Sequence, residues 1–485
     1  MIRRMVAGLV CGLAFATLGE AFAQSVNTNR WLRDFDQLRN EIARNYADID
    51  EAISRQGLNP VAMSNVTIRS IRSAQTDDDA RRALQVFVAS FGDPRLRLSP
   101  PQSRPIELGN DEALAMTSNA TQVCKALNYK AYDPEPFGMG VLKDFTFSVI
   151  VSQNNVFGAG IIESGSRGVG YLRVPSFRTE DYYSACLRAW TNRQNATDEL
   201  CDATCLRDMT DRVIPNMLID DFARHVEALA ERRVGTLVVD LTGTRGDGEW
   251  AEAIAILLAG ERATCPAVDV PRTRAWRDRF SNMRRTLGRA EVDERAVTLI
   301  EQSRERVRAL ADETRATCRR PENMWTDTGF DRATCGGLIS NATTSCGLYS
   351  QLEGLTLGDS SASRLMYNPG YFSIADSPQP TKVFVVTDGD TFGSAELLSI
   401  MLQDGGAAEI VGQTTAGAGC RTFDGDDSRV ILRRSGLELT IPNCRLNRTD
   451  GTNAARGVSP DKPVSWPGES DSDAARTAIY DAVLP

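Results

Sequence analysis

Ser394 stands in the stretch VFVVTDGDTFGSAELLSIMLQ, residues 383–403, where an apolar run stops, a Gly/Asp/Thr-rich turn follows and a helical pattern opens. A serine at such a corner has two uses. Its hydroxyl projects from a sharp turn beside N–H groups at the positive end of a helix, which can hold a developing oxyanion, so it can serve as a nucleophile. With Glu396 in the first turn it is also a good helix start, and Ser394 would then be the cap. On this stretch alone both readings stand.

A nucleophilic serine needs a base to take its proton, and bases are scarce. The chain has one histidine, His225, and five lysines (Lys125, Lys130, Lys143, Lys382, Lys462) against 50 arginines. His225 lies in DDFARHVEALAE, a helical stretch where a histidine is ordinarily a packing or surface residue. Lys382 precedes the strand that leads to Ser394 and is separated from it by that strand's length. Lys462 follows GVSPD with nothing nearby to support a catalytic role. None is a convincing base.

The elements that must position Ser394 follow from periodicity. Thr236–Leu241 is nearly continuous apolar, as in a strand covered on both faces, and EWAEAIAILLAG continues as a helix. The plan recurs at KVFVVTDGD, then SAELLSIMLQDGG and the short strand EIVGQ, so the core is α/β. Val169–Phe177 reads as another buried strand. Residues 28–100 form a helical segment, with Trp31, Phe35, Leu38, Ile42 and Tyr46 on one face. Residues 101–165 are mixed and β-rich, with strands around Asn154–Asn155. The core spans 166–465, interrupted at about 265–346 by a charged block read as a solvated helical insertion rather than a partner-binding arm. Residues 466–485 form a C-terminal tail ending in a short helix.

Residues 1–23 read as a signal peptide: MIRR, a short apolar run, then AFA before Gln24. The apolar run is too short to cross a bilayer, and no later segment is apolar enough. The chain is therefore expected to be exported, periplasmic or secreted. Removing Arg3, Arg4 and Glu20 takes the formal charge from −9 to −10, which gives no overall electrostatic reason to bind nucleic acid. Ten cysteines remain, an even number that predicts up to five disulfides in an exported chain. CDATC lacks the second pair or histidine that zinc would need. Sequence proximity suggests Cys335–Cys346 and Cys420–Cys444.

Taken together, FGDPRLRLSP, VGYLRVPSF, LVVDLTGTRGDGEWAEAIAILL, the Ser394 stretch, EIVGQTTAGAG and GVSPDKPV resemble, in order, the tail-specific (C-terminal processing) serine protease family. The resemblance implies a crotonase-like α/β protease core acting on polypeptide substrates or peptide C-termini, with no cofactor and no metal. It places the nucleophile at Ser394 and the oxyanion donors at the N–H groups of Ala395 and Gly246. Many members carry a peptide-binding PDZ domain; residues 106–165 occupy that general place without looking clearly PDZ-like. This chain departs from the family where a base is required. Ala418 stands where one branch has its lysine. Arg95 replaces the histidine of the other, and an arginine stays protonated. The glutamate expected before GVSPD is missing. Arg245 and Asp247 replace glycines of the oxyanion loop. Two functions follow: a serine peptidase, or an impaired relative that binds peptide tails or a partner protein. Arg95 has two readings, a bidentate contact to a peptide carboxylate or a pairing with Asp93.

Overall fold

In the computed structural model the described residues are 26–100, 118–131, 133–135, 147–149, 156–164, 167–196, 200–290, 294–315, 321–327, 337–352, 361–374, 378–420, 429–464 and 472–483. The signal-peptide stretch 1–23, the Asn154–Asn155 turn, Lys143, Cys318 and Cys335 lie outside them.

A seven-stranded sheet carries the site. Its order is Lys462–Pro463, Ala408–Gly412, Lys382–Thr387, Thr236–Asp240, Arg167–Arg173, Gly158–Ser164 and Phe147–Val149. The first five strands are mutually parallel, and the last two extend the sheet antiparallel. The predicted strand–helix alternation is present, since Trp250–Ala259 follows Thr236–Asp240 and Ser394–Asp404 follows Lys382–Thr387. Both helices and Ile214–Glu231 pack on one sheet face through Val239, Val385, Ile254, Leu398 and Phe222. The other face, with Tyr171, Val238, Phe384 and Val411, is covered by Ile479 and Val483 of the helix Ser472–Val483. Parallel strands buried on both faces explain their unbroken apolar runs.

The N-terminal helices Thr28–Asn45, Ile49–Gln56, Pro60–Ser73 and Asp77–Ala89 have a core of their own. Trp31, Phe35, Leu38 and Phe87 share it with Leu432, Leu437, Leu439 and Ile441 from the far end of the chain. The strand Arg97–Ser99 joins Glu438–Thr440 antiparallel beneath them.

The insertion is helical between two strands. Helices Arg274–Leu287 and Glu294–Glu313 lie between Ala267–Pro271 and Leu338–Thr344, which pair antiparallel. That pairing corrects a cysteine assignment. Cys346 bonds Cys265, not Cys335, because the register Ala267↔Thr344 brings the two strand ends together. Cys420–Cys444 is present as expected, with Cys124–Cys186 and Cys201–Cys205. The CDATC pair is thus a disulfide. Among the described residues no helix is long and apolar enough to cross a membrane.

Candidate active site

Two loops build the corner, one after Thr236–Asp240 and one after Lys382–Thr387. They run side by side: Thr391 Oγ1 donates to the Leu241 carbonyl (2.9 Å), Phe392 N–H to the Thr244 carbonyl (3.0 Å) and Ser394 N–H to the Gly246 carbonyl (2.9 Å). Asp388 fixes the second loop, accepting from the N–H groups of Asp390 (3.0 Å) and Thr391 (2.8 Å), an Asx-type turn. It also accepts from Gly243 N–H across the gap (2.9 Å). The first loop stands on a buried polar network. Asp240 accepts from the Tyr171 hydroxyl (2.8 Å) and Thr242 N–H (2.9 Å) and pairs with Arg173 (3.3 Å), which also donates to the Thr242 carbonyl (2.8 Å). Burial, then the Asp240 charge, pushes the Tyr171 phenol well above its ordinary range, so it stays a donor.

Close approach demands glycine at two places, once between the two loops and once against Arg178, which belongs to neither. Gly393 has φ +77°, and a Cβ there would stand 2.5 Å from the Gly246 carbonyl oxygen and 2.9 Å from Asp247 Oδ1. Gly246 has φ +110°, and a Cβ there would meet Arg178 Cγ at 2.4 Å.

Ser394 is fully buried as the first residue of its helix, with Gly393 at the cap position. Its hydroxyl does not cap that helix. Oγ accepts from Gly248 N–H (2.9 Å) and donates to the Gly248 carbonyl (3.1 Å) on the facing loop. Among the described residues these are its hydrogen bonds, and neither partner is a base. Ala395, also fully buried, follows in the first turn, where helix N–H groups lack intrahelical acceptors. Gly246 is brought to the serine with its carbonyl toward the Ser394 N–H. Gly248, the residue that touches the hydroxyl, was not singled out in the sequence; the second glycine of TRGDGE is the signal that could have found it. Arg245 forms an exposed ion pair with Asp390, joining the two loops.

Glu396 does more than sit in a helix's first turn. Its buried carboxylate accepts from Thr415 Oγ1, Gly417 N–H (2.6 Å), Ala418 N–H and, reaching back, Gly393 N–H (3.3 Å). It thereby ties the loop carrying Ala418 to the serine turn. Burial raises its pKa, while those four donors pull the other way. With every contact a donor, it is an anchor and not a base for Ser394.

Arg95 also reaches this loop. A methyl group at Gly419 would stand 2.5 Å from Arg95 Nη1, so Arg95 lies against the loop that carries Ala418. Arg95 donates to Asp93 from Nε (2.9 Å) and Nη2 (2.7 Å) and to Asp48 from Nη2 (2.7 Å). Burial opposes its charge, but Asp93 and Asp48 together hold it above the ordinary arginine range. The Asp93 pairing is therefore present.

The other nitrogen candidates are elsewhere. His225 is buried in Ile214–Glu231, its pKa pushed down to about 4 by desolvation, against the pull of Asp221. Lys382 and Lys462 both bind Glu409 (2.9 and 3.0 Å) and lie over the Phe384 ring, on the sheet face opposite the serine helix. Among the described residues no cluster of three or more His, Cys, Asp or Glu could hold a metal ion.

A cavity of about 420 Å³ opens beside the corner, lined by Gly393 and Leu397 of the serine turn and helix, Gly419, and Trp276, Met283 and Thr343 of the insertion. Glu249 and Arg364, ion-paired at 2.6 Å, lie on its wall.

The profile of peptidase family S41 matches residues 168–464, and the chain belongs to that family. Among solved structures it is similar to mature CPAF complexed with lactacystin, at 14% identity and TM-score 0.57, covering 94% of this chain and 97% of that one. Uncomplexed mature CPAF is matched at the same identity and TM-score. The photosystem II D1 C-terminal processing protease matches at 12% identity and TM-score 0.37, covering 94% and 99%. At 14% identity the likeness to CPAF concerns the fold alone. No curated protein matches in sequence.

Proposed function

We propose that the Ser394 corner is a polypeptide site of the peptidase kind, on a crotonase-like core, in an exported protein whose residues 1–23 are a signal peptide. Its hydrolytic step is crippled, which leaves peptide binding as the main activity. One observation carries this reading: the Ser394 hydroxyl is hydrogen-bonded to the Gly248 backbone, and among the described residues no base stands beside it. Without a base a serine hydroxyl remains a poor nucleophile at neutral pH. The cavity beside Gly393 would take a side chain of the bound polypeptide.

The hydrolytic reading keeps support from family membership and from the position of Ser394 at a helix N-terminus. There Ser394 attacks, and the N–H groups of Ala395 and Gly246 hold the oxyanion. It requires the Gly246 peptide to present its N–H and a base to arrive by movement. The matching role for Arg95, binding a substrate carboxylate, requires it to leave Asp93 or to use Nη1.

Treating the mature protein with a fluorophosphonate probe separates the two. The expected result is no labelling, alongside peptide binding that Thr286→Trp, at the cavity wall, weakens. Labelling of the wild type that Ser394→Ala abolishes would overturn the binding-only reading and establish the nucleophile.

A further inference from the structure

The helical insertion, read from the sequence as merely solvated, holds a second concave site. Helices Arg274–Leu287 and Glu294–Glu313 enclose a cavity of about 510 Å³. Among the described residues six arginines line it, Arg284, Arg285, Arg289, Arg304, Arg308 and Arg315, and one acid, Asp312. Phe280 and Val307 lie beneath its floor, fully buried in the protein's own core.

Three of the six are partly neutralised by neighbours one helical turn away: Arg304 by Glu301 (2.6 Å), Arg308 by Glu305 (2.8 Å) and Arg315 by Asp312 (3.2 Å). Arg284 and Arg289 are exposed and form no ion pair among the described residues. Such a concentration of positive charge runs against a chain of formal charge −9. Like charges on one rim repel each other, and an acidic ligand relieves that repulsion.

We infer that this cavity docks an acidic segment of another polypeptide, its carboxylates held by the arginine rim. Guanidinium forks match carboxylates bidentately. The concavity favours a peptide over a bilayer, because a flat anionic surface meets the rim but cannot enter between the helices. The chain's net negative charge repels an acidic partner at long range, so binding depends on a local basic patch such as this rim. The inference stands apart from the reading of Ser394, because neither the rim nor the floor belongs to that corner.

The test uses the whole mature protein and a fluorescent peptide alternating Glu with Leu, followed by anisotropy. Binding is expected, weakening steeply as salt rises. Arg284→Glu/Arg289→Glu should weaken it by about tenfold or more, while Arg284→Lys/Arg289→Lys retains most of it. The Glu variant should leave in place the peptide binding at the corner that Thr286→Trp weakens, so failure here and failure at the corner are told apart. Lack of binding by the wild type, salt-independent binding, or an unchanged affinity in the Glu variant would overturn the inference. So would phosphatidylglycerol vesicles or inorganic phosphate displacing the peptide at lower concentration than an unlabelled copy, which would make this a lipid or phosphate site. If the Glu variant does not fold, the wild type's salt dependence and these competitions decide alone.

Discussion

At the scale of single residues, the corner is held by backbone contacts that the sequence does not display. A serine after TFG and a glutamate two residues later are legible as a helix start or a nucleophile motif. That Ser394 Oγ would bond both polar groups of Gly248 depends on where a loop 146 residues earlier in the chain comes to rest. Glu396 was legible as a first-turn carboxylate but not as the anchor of the Ala418 loop. Four donors converge on it, so Glu396→Gln would turn an amide N–H₂ toward donors and leave buried N–H groups unpaired. The expected cost is about 2–3 kcal/mol in urea unfolding, and a change below the error of that measurement would deny the anchor. His225 gives a cleaner test, because it is the one histidine in the chain. Its folded pKa, about 4, lies below the ordinary 6.5. The neutral imidazole is thus favoured by folding, and its contribution is complete above pH 6.5 and lost as pH falls toward 4. In a proton NMR titration its single imidazole signal should stay in the neutral position at pH 6; a midpoint near 6.5 would contradict the burial.

At the scale of elements, the parallel strands and their following helices were legible because each is a long apolar run with a definite period. The antiparallel pairing that frames the insertion was not. Ala267–Pro271 and Leu338–Thr344 are short and distant in sequence, and proximity along the chain misled the choice of partner for Cys346. The Cys265–Cys346 bond closes a segment of 81 residues. Loop-closure entropy suggests that removing it costs about 4 kcal/mol. In the double variant Cys265→Ser/Cys346→Ser, limited proteolysis should cut between 272 and 337 before the central sheet is attacked. Equal resistance in variant and wild type would mean that helix packing alone holds the insertion.

At the scale of the whole molecule, the helical segment recognised near the N-terminus is joined to the chain's far end in a way no local pattern announces. Asp48 accepts from Arg95 (2.7 Å), Arg445 (2.8 Å) and Asn453 (2.8 Å). Asp48→Ala leaves two arginines without that partner in a buried setting, and about 3–5 kcal/mol should be lost. The loss should be visible as a lower urea midpoint with early cleavage near residue 100. The same architecture bears on how the protein is made. Trp31, Phe35, Leu38 and Phe87 emerge first, yet Leu437 and Leu439, which complete their core, are synthesised some 400 residues later. At about 5–20 residues per second, that apolar surface would wait roughly 20–80 s for its cover. A nascent chain so exposed calls for escort by a holding chaperone until its last quarter arrives.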